Sequence, residues 1–141
     1  MKKIIILLAI AAVSLQANAQ KLAGKDVPAN VRTSFVKLYP KATEVKWEKE
    51  DRNFEAGFDL NKIEQSVLFD TNGKMLESEV EIDVKNLPAA AQAYMKKNYP
   101  NNPIKEAAKI TAANGTVTYE AELKGKDVIF DAKGNFIKET K

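Results

Sequence analysis

The feature that most narrows what this chain can fold into is an internal repeat. Asp26-Val27-Pro28-Ala29 returns as Asn86-Leu87-Pro88-Ala89, and Lys37-Leu38-Tyr39-Pro40 returns as Lys97-Asn98-Tyr99-Pro100, both 60 residues later. Between these ends, Val31 and Phe35 correspond to Ala91 and Met95. Phe54-Glu55-Ala56-Gly57-Phe58 matches Tyr119-Glu120-Ala121-Glu122-Leu123 at offset 65. Val67-Leu68-Phe69-Asp70-Thr71-Asn72-Gly73 matches Val128-Ile129-Phe130-Asp131-Ala132-Lys133-Gly134 at offset 61. Offsets that rise and fall back mark loops of unequal length between equivalent elements. The order is that of a tandem duplication, about 26–83 and 86–141, with too few copies for a solenoid.

Each copy is predicted to open with a helix of about twelve residues. Asp26 and Asn86 are the expected N-caps, whose side-chain oxygens would accept from first-turn N–H groups. Pro28 and Pro88 fall in that first turn, where a missing N–H costs nothing. Val31, Phe35 and Tyr39, and likewise Ala91, Met95 and Tyr99, recur every four residues as one apolar stripe, and Pro40 and Pro100 stop both helices. Period-two alternation then predicts four strands per copy. They fall at about 43–50, 53–60, 63–70 and 74–82, then 104–112, 116–123, 126–131 and 135–140. The expected class is α+β: a duplicated helix-plus-four-strand unit forming one continuous eight-stranded antiparallel sheet, with both helices packed on one face.

Composition then removes whole classes of chemistry. The 141 residues include no Cys and no His. Disulfides, thiolate nucleophiles and cysteine-bearing metal sites are excluded, and the commonest general base is missing. Residues 1–19 read as a cleavable signal peptide: Lys2-Lys3, ten apolar residues at 4–13, then Ala17-Asn18-Ala19. Ten residues are half of what a bilayer crossing needs. The expected mature chain, 20–141, is therefore a single exported domain without a stable membrane anchor. The periplasm is the expected destination, with full secretion as the second choice. Losing Lys2 and Lys3 leaves 20 basic against 19 acidic residues. The lysines are spread among glutamates, which argues against nucleic-acid binding.

Local motifs resolve mostly into structure. Asp70-Thr71-Asn72-Gly73 and Asp131-Ala132-Lys133-Gly134 suggest calcium-loop fragments, but the sixth loop position is Met75 where a glycine is required. Asp at i with Gly at i+3 is instead a type I turn. Ser34-Phe35-Val36-Lys37 has the S-x-x-K spacing of penicillin-recognising enzymes, without their S-D-N or K-T-G partners. Glu77, Glu79 and Glu81 share one strand face and read as a solvated face or a protected edge, with a site for a cationic partner or ion as the other reading. Asn114-Gly115 reads as a hairpin tip. Trp47 is expected in the core, with an exposed interface anchor as the other reading. No catalytic, metal or cofactor residue emerges.

A signal peptide followed by two copies of helix, Tyr-Pro, strands and Phe-Asp-x-x-Gly resembles the PepSY-like, β-lactamase-inhibitor-like proteins of Bacteroidetes-type bacteria. The carrying residues are Val27-Pro28 and Leu87-Pro88, Tyr39-Pro40 and Tyr99-Pro100, Phe54-Glu55-Ala56 and Tyr119-Glu120-Ala121, with Phe69-Asp70 to Gly73 and Phe130-Asp131 to Gly134. The resemblance implies tandem helix-plus-four-strand units like those of the β-lactamase inhibitory protein, whose open sheet grips an enzyme. This chain departs from that protein in having no disulfide, and no inhibitory residue is carried over. The expected function is a non-enzymatic periplasmic protein-binding module, an inhibitor or regulator of an envelope hydrolase. The alternative is a binder of a small ligand or envelope polymer. The candidate partner-contacting residues are Trp47, Glu55, Asp59, Glu120 and Glu122.

Overall fold

In the computed structural model, residues 20–141 are described; the signal peptide expected at 1–19 lies outside them. The strands are β1 (Gln20–Leu22), β2 (Thr43–Glu50), β3 (Asn53–Leu60), β4 (Ile63–Phe69), β5 (Met75–Ile82), β6 (Glu106–Ala112), β7 (Val117–Leu123), β8 (Lys126–Asp131) and β9 (Phe136–Thr140). They form one antiparallel sheet in the order β1 to β9. Helix α1 (Ala29–Leu38) lies between β1 and β2, and α2 (Ala89–Asn98) between β5 and β6. The copies join where β5 pairs with β6, from Glu77 opposite Ala112 to Ile82 opposite Ala107.

The sheet thus has nine strands rather than the expected eight. The additional strand, β1, pairs Gln20, Lys21 and Leu22 with Lys49, Glu48 and Trp47. It stands 60 residues before the end of β5 and likewise leads into a helix, so it is a shortened counterpart of that strand. Three residues are too few for an alternation to be recognised.

The helix starts also differ from expectation. Asp26 and Asn86 do not cap; each ends a short 3₁₀ turn, Gly24–Asp26 or Val84–Asn86. Pro28 and Pro88 occupy the N-cap positions, and their carbonyls accept from Arg32 and Gln92 at 3.0 Å. The 3₁₀ turns spend the residues expected to form the first helical turn, so both helices have ten residues rather than about twelve.

Both helices cover the same sheet face, which we call the inner face. Val31 and Phe35 of α1 are buried against Trp47, Ala56, Phe58, Val67 and Phe69. Ala91 and Met95 of α2 are buried against Ala107, Ala121, Leu123, Val128 and Phe130. Ala107 stands at the repeat position of Trp47, and copy two recovers aromatic bulk from its helix. Tyr94 meets Phe130 edge-on at 5.7 Å and stacks on Phe136 at 4.9 Å. The Tyr-Pro tyrosines tie each helix end to the fourth strand of its copy. Tyr39 shares a hydrogen bond with Ser78 of β5, and the Tyr99 hydroxyl donates to Glu139 of β9.

The two Asp-x-x-Gly segments are turns, as expected. Asp70 Oδ1 accepts from the N–H groups of Asn72 and Lys74, and Asp131 Oδ1 from those of Lys133 and Asn135. Gly73 and Gly134 have φ of +78° and +88°. Each turn presses on its helix: a Cβ at Gly73 would lie 2.8 Å from Ser34 Oγ and 3.0 Å from the Asn30 carbonyl oxygen, and one at Gly134 2.8 Å from the Ala91 nitrogen. Gly115, at the Asn-Gly hairpin tip, shares the positive φ without any neighbour within 4 Å. Gly115→Ala should therefore cost only backbone strain, about 1 kcal/mol. Gly73→Ala and Gly134→Ala add overpacking and should cost about 2–4 kcal/mol each. Urea midpoints of the three variants measure the difference; equal losses would refute the docking role of the turns.

Candidate functional site

The opposite sheet face, the outer face, carries the alternate residues of every strand and has no helix over it among the described residues. A flat bare face would leave those side chains in water. Here Glu79 is only 3% exposed, Glu120 6%, Asp127 7% and Glu55 8%. Ser66, Leu68, Ala108, Ile110 and Ile129 are buried beside them. The sheet must therefore curl inward, as twist accumulated over many strands makes it do. Electrostatics across the face agree. Glu77 of β5 feels Glu50 of β2 and Lys138 of β9. In a flat sheet those strands would stand about 14 and about 19 Å away.

Pairing register concentrates the acids. Glu81 of β5 and Glu120 of β7 both lie opposite Ala108 of β6, one on each side. Glu79 sits diagonally across, opposite Ile110, and Glu106 lies opposite Glu122. Because Ala108 carries only a methyl group, the face drops there into a hollow. Glu79, Glu81, Glu106, Glu120 and Glu122 line it, and its volume is about 10 Å³. One carboxyl oxygen of Glu79, Oε2, is buried without a hydrogen-bond partner among the described residues. At its rim Lys105 approaches Glu122 at 4.0 Å.

Burial of carboxyl groups beside one another disfavours their charged forms. Glu79 is raised well above the usual carboxylate range, by burial first and then by the charge of Glu120. Burial, then Asp127 and Glu122, pushes Glu120 up to about 8. Burial, helped by Glu122, pushes Asp127 up to about 6. At the other end of the face, Glu55 is pushed up to about 9 by burial and by Glu50, with which it shares a hydrogen bond. Glu55 and Glu120 are equivalent positions of the repeat, so each copy contributes a buried acid at the same place.

The structure brings together four of the five sequence-predicted contact residues. Glu55, Asp59, Glu120 and Glu122 share the outer face, in register with Leu68, Glu64, Ala108 and Glu106. Trp47 does not join them. It points to the inner face, 8% exposed and edge-on to Phe35 at 5.3 Å, so it serves as core. The reading of Glu77, Glu79 and Glu81 as a solvated or edge face is also corrected. β5 is the central strand, between β4 and β6, and Glu79 is among the most buried polar residues. The alternation placed these acids on one face; the importance of Glu79 and Ala108 was missed because it depends on which strands flank them. Ser34, of the S-x-x-K string, lies in α1 under the Gly73 turn. Among the described residues, no three acidic side chains are arranged to hold a metal ion.

Comparison with known proteins now adds to this geometry. The family described as "Putative beta-lactamase-inhibitor-like, PepSY-like" matches twice, over residues 13–77 and 64–138. The chain belongs to this family. The overlapping matches follow the duplication. A BLIP-like protein from Bacteroides fragilis is 28% identical, with a TM-score of 0.65 over 80% of this chain and 84% of that one. A "putative periplasmic" protein from Bacteroides eggerthii, 15% identical, superposes with a TM-score of 0.74 over 81% of this chain and 88% of its own. A DUF2874 family protein from Bacteroides uniformis, 18% identical, gives 0.72 over 80% and 88%. These last two show the fold alone. No protein of curated function matches. Among the described residues, no helix is long and apolar enough to cross a membrane.

The buried acids make stability depend on pH in a defined direction. Below the usual carboxylate range, folded and unfolded chains both hold the protons. Above about pH 4.3 the unfolded chain releases them while the folded chain retains them. Stability should therefore fall as pH rises, until the folded values of about 8 for Glu120 and about 9 for Glu55 are passed. Each retained proton contributes a slope of about 1.4 kcal/mol per pH unit. Urea unfolding from about pH 5 to about pH 9 measures it, and Glu79→Gln or Glu120→Gln should each flatten the curve. A stability that rises across this window would contradict the assignment.

Proposed function

We propose that this protein is a non-enzymatic binding module exported to the periplasm, and that its curled outer face docks on an envelope protein, with a hydrolase as the partner class. The observation that carries the reading is the composition of that face. Leu68, Ile110 and Ile129 alternate with buried acids over several strands, and no described element of the chain covers them. A desolvated centre that mixes apolar and polar groups is what a specific protein interface requires. Kinship supports the same reading, since the family's description and the Bacteroides fragilis relative both point to inhibitor-like proteins. Export is supported by the signal-like residues 1–19, with secretion beyond the cell as the second destination.

A small-ligand role has less support. Drug-sized ligands occupy pockets of roughly 300 Å³ or more, whereas the hollow holds about 10 Å³. The space between helices and sheet is filled by the two cores.

Affinity capture from envelope extract tests the docking reading when outer-face and helix-side variants are compared. Thr118 lies on the outer face opposite Ile110, whereas Val36 on α1 is 61% exposed on the far side of the molecule. Thr118→Arg should weaken capture at least about tenfold, the loss expected for an obstruction near an interface centre. Val36→Asp should leave it unchanged, and a captured hydrolase should lose activity when the protein is added. Capture that survives Thr118→Arg but fails with Val36→Asp would place the interface on the helices instead.

A further inference from the structure

The sheet ends at β9, whose far edge pairs with no strand among the described residues. The repeat shows what such an edge accepts. β5 is the counterpart of β9, 61 residues earlier, and the two share one backbone course. Each pairs with its preceding strand through the same register break: Phe69 with Met75 and Leu68 with Glu77, then Phe130 with Phe136 and Ile129 with Lys138. On its far edge β5 carries β6 over six residue pairs, and beyond them the Leu76 carbonyl accepts from the Ala113 N–H at 2.8 Å. Ile137 stands at the place of Leu76, so its carbonyl turns to the same side, which is open. The bare edge also leaves apolar surface in water. Phe136 is 42% exposed and Ile137 48%, whereas their counterparts Met75 and Leu76 are half-buried.

A strand so presented either pairs or is defended against pairing. Here charge rejects one occupant and selects another. A second copy offers two edges, its own β9 and β1. The symmetric β9 registers that pair most of the strand centre on Lys138 or Glu139, and each sets that residue against its own image, a like-charge pair that destabilises. β1 has three residues and little ladder to give. A foreign strand meets no such conflict. Lys138 lies on the outer face opposite Ile129 and joins no salt bridge among the described residues. Glu139, on the inner face, is already engaged by Tyr99 and Lys126. An acid opposite Lys138 is therefore the complementary side chain, with an apolar neighbour over Phe136 and Ile137. We propose that the free edge of β9 takes up an extended segment of a partner protein as a tenth antiparallel strand, in the register of β6 on β5, with an acidic residue opposite Lys138. Main-chain hydrogen bonds hold such a strand, and its alternate side chains select it. This contact goes beyond the outer-face docking and uses a different part of the sheet.

Two peptides built on the chain's own β6 are the probe. The first has the sequence of residues 106–113 with Lys109→Glu and Ala112→Glu, which in the β6 register sets acids opposite Lys141 and Lys138. The second has Lys109→Glu with Ala112→Lys. Titrated into the isotopically labelled protein, the first should give saturable amide shifts and slowed hydrogen exchange at residues 136–140. The second should bind about three- to tenfold more weakly, the range for a cross-strand charge pair reversed in sign. Lys138→Glu should exchange the two preferences, which a merely structural role of Lys138 would not do. N-methylation of the first peptide at the alternate residues whose N–H groups face β9 should abolish the shifts. Silence of β9 toward both peptides, or an equal response to the N-methylated form, would overturn the assignment. So would shifts centred on the outer-face residues 79, 108 and 120. A mass that doubles with protein concentration while β9 becomes protected would give the edge to a second copy and overturn the foreign strand. Failure of the docking reading is distinguishable. Capture lost in Thr118→Arg with β9 silent to the peptides keeps that reading and removes this one; peptide addition to β9 with no protein captured by the outer face does the reverse.

Discussion

Unbroken antiparallel pairing across the junction of the two copies is the constraint on which the rest of the structure depends. Had β5 and β6 not paired, each copy would be a small sheet with one helix, and Glu79 would sit on an exposed edge. Because they do pair, from Glu77–Ala112 to Ile82–Ala107, nine strands share one twist and the sheet coils. The helices occupy one face, and the curl draws the side chains of the other face together. Ordinary outward-facing glutamates are thereby carried into a desolvated environment.

Duplication then sets the character of that environment. Each copy brings a buried acid at the same place, Glu55 or Glu120, held inside the turn of the sheet. The linking strand adds Glu79 between them. Packing of both helices, with the Asp-x-x-Gly turns pressed on their first halves, supplies the stability against which such a face can be maintained. Proteins commonly carry locally unfavourable features of this kind where they act on something else. The two halves are alike in backbone and unlike in filling. Trp47 and Phe35 build the first core, whereas Ala107, Met95 and Tyr94 build the second.

The chain was legible where periodicity and punctuation are strong. Alternating strands between turn residues, and helices stopped by Tyr-Pro, place eight of the nine strands to within about two residues. The three-residue β1 escaped because a pattern of two cannot be established in three positions. The capping roles of Asp26 and Asn86 failed for a different reason: the chain enters each helix through a 3₁₀ turn, a choice made by packing and not by cap propensity. Alternation places Glu55, Asp59, Glu120 and Glu122 on one face of their strands, and the sheet puts all four on the outer face. Trp47 was placed in the core and also weighed as an anchor, because alternation assigns a face without saying which face is covered.

What the amino-acid sequence determined by itself is local: the repeat, the turns, the element boundaries, and which side chains share a face of each strand. These follow from backbone sterics and from the separation of apolar and polar residues over a few positions. Only the tertiary structure decided that β5 is the central strand, that the outer face curls, and that Ala108 leaves a hollow against Glu79. Those properties arise between strands far apart in the chain. The pKa of a glutamate reports its neighbours and its access to water, and neither is written in the residues beside it.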